Sequence, residues 1–177
     1  PTAGTLRDVF EYLGARTLLG TELYVLSPQY QPVSIAVSLE VVDPATRQQV
    51  FRAVEQALLA YLWPLPPHGL RGKGWPRGRS VEINELRTQA GRVDGVEAVN
   101  VLRLFYQDLT TQAWRELTDM QALPLTDYQL PELMAVAIES GEGRPTPPRG
   151  FAPGTSGGSS TGTTARPVPV PVIPDIC

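Results

Sequence analysis

Between Val33 and Val41 every odd position is a branched aliphatic residue (Val33, Ile35, Val37, Leu39, Val41), while Ser34, Ala36, Ser38 and Glu40 between them are small or polar. A period of two is the signature of a strand, since successive side chains point to opposite faces. This stretch therefore predicts a strand with one buried face. Asp43-Pro44 follows at once, an N-cap side chain and a proline whose fixed φ suits the first helical turn. Val50, Val54, Ala57, Leu58 and Tyr61 then recur at helical spacing, with Arg47, Arg52, Glu55 and Gln56 off the stripe. A helix over 45–62 would be about 27 Å long at 1.5 Å per residue, enough to cover the strand and its neighbours.

Pro64, Pro66 and Pro67 stop that helix, and the segment from His68 to Arg79 combines glycine, arginine, tryptophan and proline as no other part of the chain does. Elsewhere the pattern is conventional. Thr5 and Asp8 form a weak capping box before Leu6, Val9, Phe10 and Leu13, predicting a first helix that ends near Gly14. Leu23–Leu26 reads as a short strand. Ser80 is a plausible cap for a helix carrying Val81, Ile83, Leu86 and Ala90 and ending near Gly91. Asp94-Gly95 turns the chain into a second core strand over 96–106, residues 107–121 read as a hairpin connection holding Trp114, and Leu133–Ile138 as the last strand. The expected fold is α+β: a small sheet with helices on one face, in the order β-α-α-β-β after an N-terminal helix. The expected divisions are 1–29 (first helix and short strand), 30–139 (the α+β module) and 140–177.

That last division is of a different character. Eight of the 18 prolines lie between Pro145 and Pro174, and 155–164 is almost wholly Gly, Ser and Thr. Such a composition offers little apolar surface to offset its conformational entropy, so a linker is expected. Val168, Val170 and Val172, followed by Ile173, alternate with prolines, favouring an extended polyproline-type rod suited to lie along a partner's groove.

The order Pro28, Tyr30, Pro32, Val33, Ile35, Val37, Leu39, then an amphipathic helix, then Gly72-x-Gly-Trp-Pro-x-Gly-Arg79, then Ile83, Glu85, Leu86 and Val93, Gly95, Val96 resembles the C-terminal region of J-like baseplate assembly proteins. Those proteins form wedges in the baseplates of contractile phage tails and extracellular contractile injection systems. The final Pro-Val-Pro-Val-Pro-Val-Ile-Pro-Asp-Ile-Cys also resembles the end of such chains. The resemblance covers most of the sequence, is most specific at the Gly-Trp-Pro-x-Gly-Arg loop, and contains no catalytic motif. It implies a structural wedge component rather than an enzyme, acting in a multi-copy ring. Its implied partners are other wedge subunits, the hub and sheath-proximal proteins, and its implied location is the cytoplasm, within an assembled particle. A stand-alone protein- or peptide-binding adaptor is the alternative.

The chemistry available agrees with a non-enzymatic role. His68 is the single histidine and Cys177 the single cysteine, so an intrachain disulfide is impossible and a nucleophile–histidine pair would have to use these two. No acid or histidine spacing suggests a metal site, and no cofactor is expected. Gly69-x-x-Gly72-Lys73-Gly74 lacks the spacing, the following Ser or Thr and the flanking elements of a phosphate loop. A net charge of −3 argues against nucleic-acid binding. No apolar run is long enough to span a membrane, and no basic-then-apolar leader opens the chain. Fourteen of the 15 basic residues are arginine. Arg71, Lys73, Arg77 and Arg79 crowd one loop of an acidic chain, which favours an acidic protein surface as partner. Trp75 either anchors that contact or packs into the domain's own core. The candidate contact residues are therefore Arg71, Lys73, Trp75, Arg77 and Arg79, with Val168, Val170, Val172 and Ile173 of the tail.

Overall fold

The computed structural model describes residues 2–18, 20–118 and 122–154. The tail valines and Ile173 lie outside them. Helix α1 (Ala3–Gly14) opens the chain, capped by Thr2, whose Oγ1 accepts from Thr5 N–H at 3.3 Å. The cap is thus Thr2 rather than Thr5, because Thr5 already lies inside the first turn. None of the residues of α1 is buried, and Phe10 and Tyr12 are exposed. Leu23–Leu26 forms no strand: Tyr24 and Leu26 are exposed, and no neighbouring strand supplies a ladder.

Strand β1 (Gln29–Val41) begins four residues earlier than its alternation. Asp43 accepts from Ala45 N–H through Oδ1 at 2.9 Å, and a 3-10 turn over Pro44–Thr46 leads into α2 (Arg47–Leu62). A two-residue strand β2 (Val81–Glu82) precedes α3 (Ile83–Gly91). Ser80 therefore caps nothing, since Val81 and Glu82 stay extended to pair with β5 (Ala122–Leu123). Strands β3 (Val96–Gln107), β4 (Trp114–Glu116) and β6 (Gln129–Ser140) complete a four-stranded mixed sheet in the order β4-β3-β1-β6. β1 runs antiparallel to β3 and parallel to β6. The class is α+β, as the residue pattern predicts.

The odd residues of β1 meet α2 and α3. Val33, Ile35, Val37 and Leu39 are fully buried against Val50, Val54, Leu58 and Leu62 of α2, and Leu86 and Ala90 of α3 join the same core. Burial of each such side chain contributes about 1.5–3 kcal/mol, which makes this layer the main source of stability. The even residues Ser34, Ala36 and Ser38 are buried as well. A second, smaller core lies on their face, built of Ala36, Phe105 and Trp114 with Met134, Ala137 and Phe151 packed against it.

Phe151 belongs to the stretch expected to be linker. Instead 144–154 runs back over the second face as a strap. Pro145 and Pro148 are buried, Phe151 meets Trp114 edge-on at 4.8 Å, and Gly154 N–H donates to the Trp114 carbonyl at 2.9 Å. Small residues on β1 allow this close approach. Polar contacts hold the strap: Arg103 donates in two bonds to Glu116 (2.8 and 2.7 Å) and through Nη1 to the Pro145 carbonyl at 2.6 Å, while Arg144 donates to Glu116 at 2.7 Å. Thr146 bonds the Glu139 carboxylate through both its N–H, at 3.0 Å, and its hydroxyl. A bulge in β3 is stabilised in a similar way. Asn100 falls out of register, Val101 N–H finds the Ser38 hydroxyl at 3.2 Å, and Asn100 Nδ2 donates to Glu40 and to the Gly141 carbonyl.

The guanidinium of Arg103, and then that of Arg144, hold the Glu116 carboxyl below the usual carboxylate range against the opposing effect of burial. A depressed folded-state value means the contribution is complete above the unfolded value of about 4.3 and is lost as pH falls through the folded one. Amides of 145–154 are therefore expected to lose exchange protection below about pH 4 while β1 and β3 retain theirs. Glu116→Gln should destabilise the fold by about 1–3 kcal/mol in denaturant melts and abolish that acid step. Unchanged strap protection in the variant would show that the cluster does not hold the strap.

Candidate functional site

The arginine-bearing loop over 64–79 is a folded platform, and its construction begins at the end of α2. Trp63 ends the helix in an extended conformation and three prolines prevent continuation, Pro66-Pro67 being a cis pair. The loop then returns to the helix it left. Gly69 N–H donates to the Ala60 carbonyl at 2.8 Å, Gly74 N–H to His68 at 2.7 Å and Trp75 N–H to Trp63 at 2.9 Å. Gly69 and Gly74 permit this crossing of backbones. Both have positive φ (74° and 80°), and a Cβ on either would stand 2.3 Å from backbone, Gly74 C for Gly69 and Pro64 O for Gly74.

Trp75 is the peg of the loop. It is 3% exposed, meets the Tyr61 ring edge-on at 5.5 Å and donates through Nε1 to the Arg79 carbonyl at 3.3 Å. Of the two roles open to it, the structure shows the core one: its area lies in the domain's own core, where an indole must be buried to hold so glycine-rich a loop. Arg79 is likewise engaged within the fold, its guanidinium 2.5 Å from Glu85 Oε1, with Tyr61 donating to Glu85 Oε2 at 2.7 Å. Glu85 thus ties α3 to both α2 and the loop. Burial first, and then the bond to Glu85, raise the Tyr61 hydroxyl far above its ordinary value, so it remains a donor. Nothing in the local sequence marks Glu85, because its partners lie 24 and 6 residues away.

Three of the predicted contact residues remain on the surface together: Arg71, Lys73 and Arg77 are exposed. Arg71 itself takes a left-handed conformation (φ 54°), which costs a residue with a Cβ about 1–2 kcal/mol. Beside it an open cleft of about 570 Å3 separates the loop from α3, lined by Leu70, Arg71, Tyr61, Thr88, Gln89 and Arg92 among others. The cleft sets the side chains of Arg71, Thr88, Gln89 and Arg92 beside the Glu85 carboxylate and an apolar Leu70, so its lining is mixed in charge and polarity. His68 is exposed on the same loop, and its backbone takes part in the turn. Among the described residues no group of three or more His, Cys, Asp or Glu is placed to hold a metal ion, and no helix is long and apolar enough to cross a membrane.

No protein-family model matches the chain, and no curated protein matches it significantly.

Gly74→Ala should collapse this platform. The new methyl meets the Pro64 carbonyl at 2.3 Å in a conformation that L side chains avoid, so a loss of about 3 kcal/mol is expected in thermal or denaturant unfolding. Gly14→Ala, at a position with nothing within 4 Å and an ordinary φ, should stay within about 0.5 kcal/mol of the parent. Equal stability of the two variants would refute the packed-loop account.

Proposed function

We propose that the chain is a non-enzymatic structural module, the C-terminal region of a J-like baseplate wedge protein in a contractile tail or injection system. It assembles with neighbouring wedge subunits around a hub and passes conformational change towards the sheath. One observation carries the reading: the segment that bears the most specific resemblance, Gly72–Arg79, is packed against two helices through Trp75 and Glu85, and it leaves Lys73 and Arg77 exposed, with Arg71 exposed just before it. Pre-ordered cations lose little entropy on meeting an acidic surface, and arginine pairs with carboxylates through two parallel bonds. The module transmits force because the platform, α2 and α3 share one core with the sheet.

Co-sedimentation from the native host tests the proposal. The tagged chain should pellet with sheathed particles, and R71E/K73E/R77E should lower its incorporation at least about tenfold while its melting temperature stays within a few degrees of the parent. Intact particles that pellet without the chain would overturn the wedge reading in favour of a stand-alone adaptor.

A further inference from the structure

The last strand of the sheet leaves an open edge. Leu39 of β1 stands opposite Ser140 of β6, and its carbonyl accepts from Gly141 N–H at 3.2 Å. In a parallel ladder that bond turns the backbone groups of Glu139 and Gly141 towards β1, so the N–H and C=O of Val136, Ile138 and Ser140 point outward. Pairing with β1 is regular from Ala135 to Ser140, and no described residue bonds those outward groups. The first residues of β6 are guarded. Gly78 N–H donates to the Gln129 carbonyl at 3.3 Å, Pro131 has no donor to offer, and the register shifts after Leu133. Ala135–Ser140 carries no proline, lysine or bulge, and an apolar edge in that state is a template for another strand.

The opposite end of the chain supplies a strand without an edge. No described residue before Gln29 is buried, and hydrogen bonds made among the described residues of 2–28 stay within that segment. Seven of the eleven exposed large hydrophobic residues lie between Val9 and Leu26, so the apolar surface left in water is concentrated on this arm. Within it Leu23-Tyr-Val-Leu26 has the composition of a strand, and its exposure alternates as a strand's does. Leu23 and Val25 are half-buried, whereas Tyr24 and Leu26 are 74% and 67% exposed. Laid along β6 with Tyr24 and Leu26 on the helix side, the segment would continue the apolar layer of Val136 and Ile138.

We propose that Leu23–Leu26 of one copy of this chain adds as a strand to the Ala135–Ser140 edge of a second copy. The arm of the same chain is too short for the task. It joins β1 at Gln29, which stands beside Gln129 at the start of β6. Val136 lies about 20 Å further along β6, even allowing for the bulge, and a strand beyond β6 lies about 10 Å to the side of β1. Leu26 is three residues from Gln29 and Tyr24 five, reaches of at most about 11 and 18 Å against the roughly 22 Å required. An arm on one surface and an edge on another make a head-to-tail contact. It closes a dimer where two copies exchange arms and a ring where each copy passes its arm onward. The pairing is independent of the wedge reading.

Sedimentation velocity and residue-level amide exchange on the 177-residue chain, kept reduced so that Cys177 links no copies, test the pairing. Between micromolar and millimolar concentration the chain should associate, and in the associated form the Val136, Ile138 and Ser140 amides should gain at least about tenfold protection while β3 amides stay unchanged. Y24P/V25P takes one donor from each side of the arm and should abolish both effects. Neither residue is buried, so its melting temperature should stay within a few degrees of the parent. I138P leaves the arm intact, removes one outward donor of the edge and should fail to associate in the same way. A chain that stays monomeric to millimolar concentration, or associates without protecting those amides, would overturn the proposal. Association and protection that persist in Y24P/V25P would overturn the arm as occupant and assign the edge to a second β6.

Discussion

Everything in this fold hangs on β1 being buried on two unlike faces. Its odd residues are branched and large, so they need a helix layer about 10 Å away and obtain it from α2 and α3. Its even residues are small, so they accept a backbone at close range and obtain the strap over 144–154. A strand that is central, two-faced and parallel to its neighbour β6 also dictates the connectivity, because parallel neighbours cannot be joined by a tight turn. The crossover between them contains α2, the basic loop, α3, β3 and β4. The loop is therefore carried by the crossover, and its position follows from the geometry that β1 imposes.

The loop shows how a run of glycines can be rigid. Its backbone is tied to the last turn of α2 by bonds from Gly69 and Trp75, and Trp75 replaces the apolar surface that its glycines lack. Glycine here is required for closeness, since two segments of backbone cross where a methyl group would not fit. The Tyr61–Glu85–Arg79 chain adds direction to that packing. It connects α2, α3 and the loop through one carboxylate, so displacement of the loop must disturb both helices. That coupling is what a part working mechanically would need.

How far the sequence spoke depended on the range of the interaction. Local periodicity placed α2, α3, β1, β3 and β6 to within a few residues, because each has an apolar stripe that its own spacing reveals. The strand expected at Leu23–Leu26 failed because apolar residues make a strand only where an edge is available, and Tyr24 and Leu26 found none. Ser80 failed as a cap because pairing of Val81 with Leu123, 42 residues away, outweighed a local hydrogen bond. The strap escaped notice for a related reason. Pro145, Pro148 and Phe151 look like linker residues until the small face of β1 is known to need a cover. In the candidate site the cations Arg71, Lys73 and Arg77 were legible from their crowding and the core role of Trp75 stood as one of two readings, whereas the bridging role of Glu85 arises from contacts that no local pattern records.

The abundance of arginine has a partial physical explanation in these contacts. Arg103 joins Glu116 by a two-pronged bond and reaches a strap carbonyl with its remaining nitrogen, a geometry that a lysine ammonium cannot reproduce. Arg79, Arg115 and Arg144 each pair with a named carboxylate of the fold, on Glu85, Asp108 and Glu116. Arg71, Lys73 and Arg77, like Arg7, Arg47, Arg52, Arg87 and Arg92, have no ion pair among the described residues, and they lie on a loop braced by backbone bonds to the end of α2. The loop accepts a left-handed Arg71 while holding these three cations on a braced backbone, a local strain that persists because the surrounding bonds over-determine it.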